Sequence, residues 1–214
     1  MSSTITLGSN SYTLIPLPTA PGIRDITLGM SDSVAVNQSP FVPSQVQTQQ
    51  WPGADMWDVQ VALPPLTDAQ AADWEGFLAE LRGMLNVFQI GDPRRVHPLG
   101  NMQGSAPLCA AGNTQNSTSL LTTQWKANAS RLLLRGDMLQ IVYRLYRVCE
   151  TVNSDSSGNA TIVVWPSLRE APADNTPLVM NAPQAVFRLA QNRRQSQFSK
   201  QQHTSISFKA IEVR

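Results

Sequence analysis

The sequence predicts a mainly β (α+β) fold: a β-sandwich or split barrel with one packed α-helix and a small inserted β module. Three observations carry this. Only one stretch, residues 57–93, has the spacing of an amphipathic helix, and it is framed by strand patterns. Most of the remaining chain breaks into short apolar/polar alternations bounded by Gly, Pro, Asn and Ser. The chain closes on TSISFKAIEV, a clean period-two alternation at residues 204–213.

Taken in order, residues 3–7 and 12–17 alternate around Gly8-Ser9-Asn10, a hairpin signal, and prolines at 16, 18 and 21 end its pairing. Short β-like pieces follow at 23–30, 33–36 and 42–48. Residues 55–63 alternate so that Trp57, Val59, Val61 and Leu63 share one face, the signature of a half-buried strand.

The helix is expected over residues 67–83. Pro64 and Pro65 block an earlier start. Thr67 is placed as N-cap with Gln70 three residues on, the spacing of a capping box, and Asp68 sits where the helix dipole favours a negative charge. Trp74, Phe77, Leu78 and Leu81 fall at i, i+3, i+4 and i+7 and form one apolar face, and Gly83 is the expected stop. Such a helix is marginal alone in water. Burial of four large side chains contributes on the order of 6–12 kcal/mol gross, at about 1.5–3 each, so the helix must dock on a sheet. Residues 86–90 are the returning strand, ended by Gly91-Asp92-Pro93.

Residues 94–130 read as irregular and polar, with a new unit beginning near Ser117. LLLRGD at 132–137 reads as a strand into a turn, where Gly136 supplies an unusual backbone angle. Residues 138–152 are strand-rich, and DSSGN at 155–159 turns them into a strand at 160–165. Further strands are expected at 178–180, 185–189 and 204–213.

Composition narrows the function. Charged residues make up 14% and the net charge is +1, which disfavours a nucleic-acid binder with its basic stripe. Arg94-Arg95 and Arg193-Arg194 read as solvated loop charges. The abundance of amides and hydroxyls in place of charge suits surfaces that meet other protein. Cys109 and Cys149 lie in no metal-ligand spacing, and the sequence leaves their pairing open. MSSTITLGSN lacks the basic and apolar segments of a signal peptide, and no apolar run is long enough to span a membrane, so no membrane anchoring is expected.

Catalytic chemistry is not expected. His97 and His203 are 106 positions apart, and both read as solvated. No GxSxG elbow, P-loop or GxGxxG occurs. Asp55 and Asp58 flank Trp57, but nothing else supports a paired-carboxylate site. The expectation is a non-enzyme with no cofactor and no metal.

The run LPPLTDAQAADWEGFLAELRGMLNVFQIGDP resembles the helix-and-strand core of bacteriophage distal tail and minor tail (baseplate hub) proteins of long-tailed phages. LLLRGDMLQIVYRLYRVCETVNSDSSGNATIVVWPSLRE is similar to their small β module, and FRLAQN and SISFKAIEV to their C-terminal strands. Together these runs cover about two-fifths of the chain. The resemblance implies a tail-tube-like core and a structural component of the virion. It would be assembled in the host bacterial cytoplasm into a homo-oligomeric ring, commonly a hexamer, at the tail tip. Its implied partners are its own copies, the tail tube protein, and the hub and fibre proteins, with DNA only as passing cargo. The expected organisation is a ring-forming core from residues 1–100 and 181–214, carrying an inserted β domain at 101–180; the other arrangement is a serial pair divided near 115. A second functional reading is a carbohydrate-binding, host-receptor module with Trp125 or Trp165 exposed. A third, a cell-wall hydrolase, would need catalytic groups that the sequence does not offer.

Overall fold

The structure is a computed structural model and describes residues 2–42, 44–102, 106–193, 197–198 (backbone only) and 204–214. His203 and Arg194 lie outside the described residues. The fold is mainly β with one helix among the described residues: β1 (Ser3–Leu7), β2 (Asn10–Leu14), β3 (Asp25–Ser31), β4 (Val34–Gln38), β5 (Val46–Gln50), β6 (Met56–Ala62), α1 (Asp68–Glu80), β7 (Phe88–Ile90), β8 (Leu108–Cys109), β9 (Ser119–Thr123), β10 (Met138–Ile141), β11 (Arg144–Val148), β12 (Ala160–Trp165), β13 (Leu178–Val179), β14 (Ala185–Leu189), β15 (Gln197–Phe198), β16 (Thr204–Ser205) and β17 (Ser207–Glu212).

Two sheets dominate. One has the order β3-β6-β17-β14-β7 and draws on early and late segments of the chain. The other, β13-β10-β11-β12-β9-β8, uses residues 108–179. It is antiparallel throughout. It nearly closes on itself, because a Leu108–Pro177 bridge and the Cys109 N–H donating to Thr176 O at 2.8 Å bring its two edge strands together.

The helix docks on the five-stranded sheet. Alternation in β6 buries Trp57, Val59 and Val61, and Leu63 just beyond it is buried too. Trp74, Phe77, Leu78 and Leu81 are buried in the same cluster. Phe77 meets Phe88 edge-on at 5.8 Å between centroids, and Phe88 meets Phe208 at 5.9 Å, so aromatic edges from α1, β7 and β17 interlock. At the helix start the Thr67 N–H donates to Gln70 Oε1 at 3.1 Å. The helix stops at Glu80, with Leu81 as C-cap, rather than continuing to residue 83. Arg82 and Gly83 both take positive φ (49° and 70°) and turn the chain toward β7. On a separate cluster, Ile5 and Leu7 of the first hairpin pack with Val87, Val186 and Val213.

Two strands, β8 and β9, lie in the stretch expected to be irregular, and β9 is an interior strand paired to both β8 and β12. Leu132 and Leu133 are fully buried but form no strand, and among the described residues one bridge, Leu133–Val152, is their ladder contact. The reason is the positive φ at Arg131 (56°) and Gly136 (96°), which breaks extension on both sides. The stretch 138–152 is a hairpin rather than one strand, folded at Val142 with φ 54°. The last strand is likewise interrupted at Ile206, which separates β16 from β17.

Candidate functional site

Among the described residues no group of three or more His, Cys, Asp or Glu side chains is placed to hold a metal. His97 is exposed, with Nδ1 3.3 Å from Asn181 Oδ1. Asp58 is exposed, whereas Asp55 is buried and engaged by Ser167, whose Oγ donates to Asp55 Oδ1 at 2.9 Å. In the Arg135-Gly136-Asp137 turn the Asp137 carboxylate is fully buried, accepting the N–H groups of Leu99, Gly100 and Leu134 at 2.8–3.1 Å. Trp125 is buried, its indole N–H donated to Thr122 Oγ1 at 2.8 Å, so it offers no face to a sugar. Trp165 donates its indole N–H to Asp32 at 2.8 Å and lies edge-on to Trp57, 4.6 Å between centroids.

The feature without an internal explanation is a ribbon. β3 pairs with β6 from Asp25–Ala62 to Ser31–Met56. β4 pairs with β5 from Val34–Gln50 to Gln38–Val46, as a two-stranded sheet of its own. The second pairing continues the first across a bulge in which residues 32–33 oppose residues 51–55. The result is one long hairpin whose outer part leaves the body. Its five paired positions span about 17 Å at ~3.4 Å per residue, and all ten residues are exposed. Ser39 shapes the tip by accepting the Phe41 and Val42 N–H groups on its Oγ at 3.3 and 3.2 Å.

The ribbon is unlike an ordinary exposed edge. No charged residue occurs from 33 to 54. Val34, Val36 and Val46 share one face by register, and Phe41 at the tip is 91% exposed. Natural proteins blunt free edges with lysine, proline or inward charge. Here both strands of the outer ribbon lack charge and carry apolar side chains.

Its root is held tightly. The clamp is the segment Trp165-Pro166-Ser167-Leu168-Arg169, which follows β12. Trp165 holds Asp32 on one side of the bulge, and Ser167 holds Asp55 on the other, its N–H and Oγ both donating to that carboxylate. Arg169 donates to Gly53 O at 3.1 Å and to both oxygens of Glu212 on β17, at 3.3 and 2.7 Å, and lies 3.5 Å from Asp55 Oδ1. Glu212 also accepts the Trp57 N–H at 3.1 Å. Arg147 completes the root, stacked 5.3 Å over the Trp57 ring with Met30 Sδ 3.7 Å from its Nη1. Burial lowers the Arg147 pKa, against an opposing pull from Asp92.

A slot lies at the other end of β3. Its apolar lining comes from Leu17, Ile23, Ile26, Ile90, Pro93 and Pro183, and its volume is about 430 Å³. Both edge strands of the five-stranded sheet, β3 and β7, contribute to it. Charges beside it pair with one another: Arg24 with Asp25 at 2.6 Å, and Arg94 with Asp92 at 2.9 Å. Burial pushes the Asp92 carboxyl up, but the hydrogen bonds and charge of Arg94 outweigh it and the net shift is downward.

No protein family model and no curated protein sequence matches the chain. Neither the ribbon nor its clamp carries a sequence motif. The absence of charge over 22 consecutive residues (33–54) was a usable signal for the ribbon. The Arg169–Glu212 pair, 43 positions apart, left none.

Proposed function

We propose that this protein is a structural subunit of a bacteriophage tail tip, forming a homo-oligomeric ring that connects the tail tube to the hub or fibres and surrounds the DNA channel. In this reading the five-stranded sheet with α1 is the split-barrel, tail-tube-like core and the 108–179 sheet is the inserted module. The observation that carries it is the ribbon: an uncharged, apolar-faced β arm on a clamped root is a surface built to be covered by protein. The sequence resemblance supports it, and the near-neutral charge suits a wall that DNA passes without sticking.

Light scattering and negative-stain imaging of the purified protein, together with labelling of this chain in assembled tails, test the reading. Rings with the label at the tail tip are expected. A strictly monomeric particle with no place in the tail would sink it.

A further inference from the structure

We propose that the ribbon tip of one subunit seats in the slot of a second copy of this chain, with Phe41 as the anchor. This deepens the ring reading and rests on it. Three observations lead here. First, tip and slot lie at opposite ends of the same ribbon. Ile26 lies at the inner end of β3 and Phe41 beyond the outer end of β4, so a chain's own tip is carried away from its own slot. A contact made by two patches at opposite ends of one body is heterologous, and it closes into a ring when the rotation per subunit allows.

Second, the sizes fit. An apolar cavity of about 150 Å³ accommodates benzene. The slot of about 430 Å³ holds a phenyl ring with a neighbouring aliphatic residue, and Val42 stands beside Phe41 at the tip. Third, the electrostatics match. The tip carries no charge, and the charges at the slot are already neutralised by Arg24–Asp25 and Arg94–Asp92. A strongly charged partner such as nucleic acid or an anionic membrane gains nothing from either surface, whereas an uncharged β tip loses no ion solvation on entry.

The test replaces Phe41 with the photo-crosslinking amino acid benzoylphenylalanine in the full chain. Isotope-labelled and unlabelled protein are mixed, irradiated, and the crosslinked peptides mapped by mass spectrometry. The expected result is mixed-isotope crosslinks joining position 41 to peptides containing Ile23, Ile26 or Ile90. In parallel, Phe41→Asp and Ile23→Asp are each expected to abolish the oligomer seen by light scattering. Phe41→Asp should leave the melting temperature of the monomer unchanged, because the side chain is exposed. Crosslinks elsewhere on a second copy, or oligomers that survive Phe41→Asp, overturn the seating and leave the ring reading standing. Crosslinks within one chain overturn it as an intersubunit contact. Wild-type protein that stays monomeric at every concentration and is absent from tails overturns both.

Discussion

Arg169 and Glu212 form a buried two-point ion pair, with Arg169 Nε and Nη2 donating to the two carboxylate oxygens and the side chains only 5% and 1% exposed. The pair ties the segment after β12 to the last strand of the other sheet. Removing one partner strands the other charge in the interior, which costs about 3–5 kcal/mol. Arg169→Met is therefore expected to lower the unfolding free energy obtained from urea denaturation by an amount in that range. Arg169→Met combined with Glu212→Leu should recover part of the loss. A single variant as stable as wild type would show that the pair contributes no net stability.

Trp74 is fully buried, and its indole N–H has no hydrogen-bond partner among the described residues. Trp74→Ala leaves a cavity between α1 and the Phe77–Phe208 aromatics and should cost about 3–5 kcal/mol. Trp74→Phe removes the unsatisfied donor along with some volume, so the two effects oppose and the cost should be about 1 kcal/mol. Equal losses for the two variants in chemical denaturation would contradict this account.

Asp155 caps its own turn, accepting the Asn159 and Ser157 N–H groups at 2.8 Å. The Asn159 bond is the chief reason its carboxyl titrates below the ordinary value of 3.8. A depressed folded value means that the carboxylate stabilises the fold above the unfolded value and that this contribution is lost as pH falls through the folded one. Melting curves should show a constant gap between wild type and Asp155→Ala near neutrality. The gap should close on acidification through the carboxylate range. A gap independent of pH would exclude the carboxylate as its source.

Cys109 is a buried free thiol, and burial pushes its pKa up to about 11. Cys149 is half-buried, and burial raises its pKa too, despite Arg135 and Arg147 nearby. The thiolate is the reactive species. Iodoacetamide at mildly alkaline pH should therefore leave Cys109 unmodified in the native protein and label it only on unfolding, with Cys149 reacting slowly. Rapid native labelling of Cys109 would show that β8 opens freely.

The fold was most legible where local pattern and tertiary demand agree. β14 spans residues 185–189, the limits its sequence suggests, and the β6 alternation places Trp57, Val59 and Val61 inward. Legibility failed where backbone geometry or distance decides. SLLTT at 119–123 carries too much polar character to announce an interior strand, yet pairing on both edges holds it there. LLL at 132–134 has strand composition, but flanking left-handed residues turn it into a buried loop. The helix face was evident from spacing alone. The clamp was not, because Asp55, Ser167, Arg169 and Glu212 come together from three distant segments.

The topology also sets a timetable. In the five-stranded sheet Asp58 of β6 pairs with Ile211 of β17, so β6 is made long before its interior neighbour exists. At about 5–20 residues per second, synthesis leaves that strand waiting roughly 8–30 s. Over that interval β3 and β6 are a bare hairpin with the uncharged ribbon attached, while residues 108–179 can pair among themselves as they emerge. Slow closure across such sequence distance is characteristic of non-local β pairing. The aggregation hazard of this protein is therefore greatest on the ribosome, and slowing translation between β6 and β17 should lower soluble yield more than the same slowing before β3 is made.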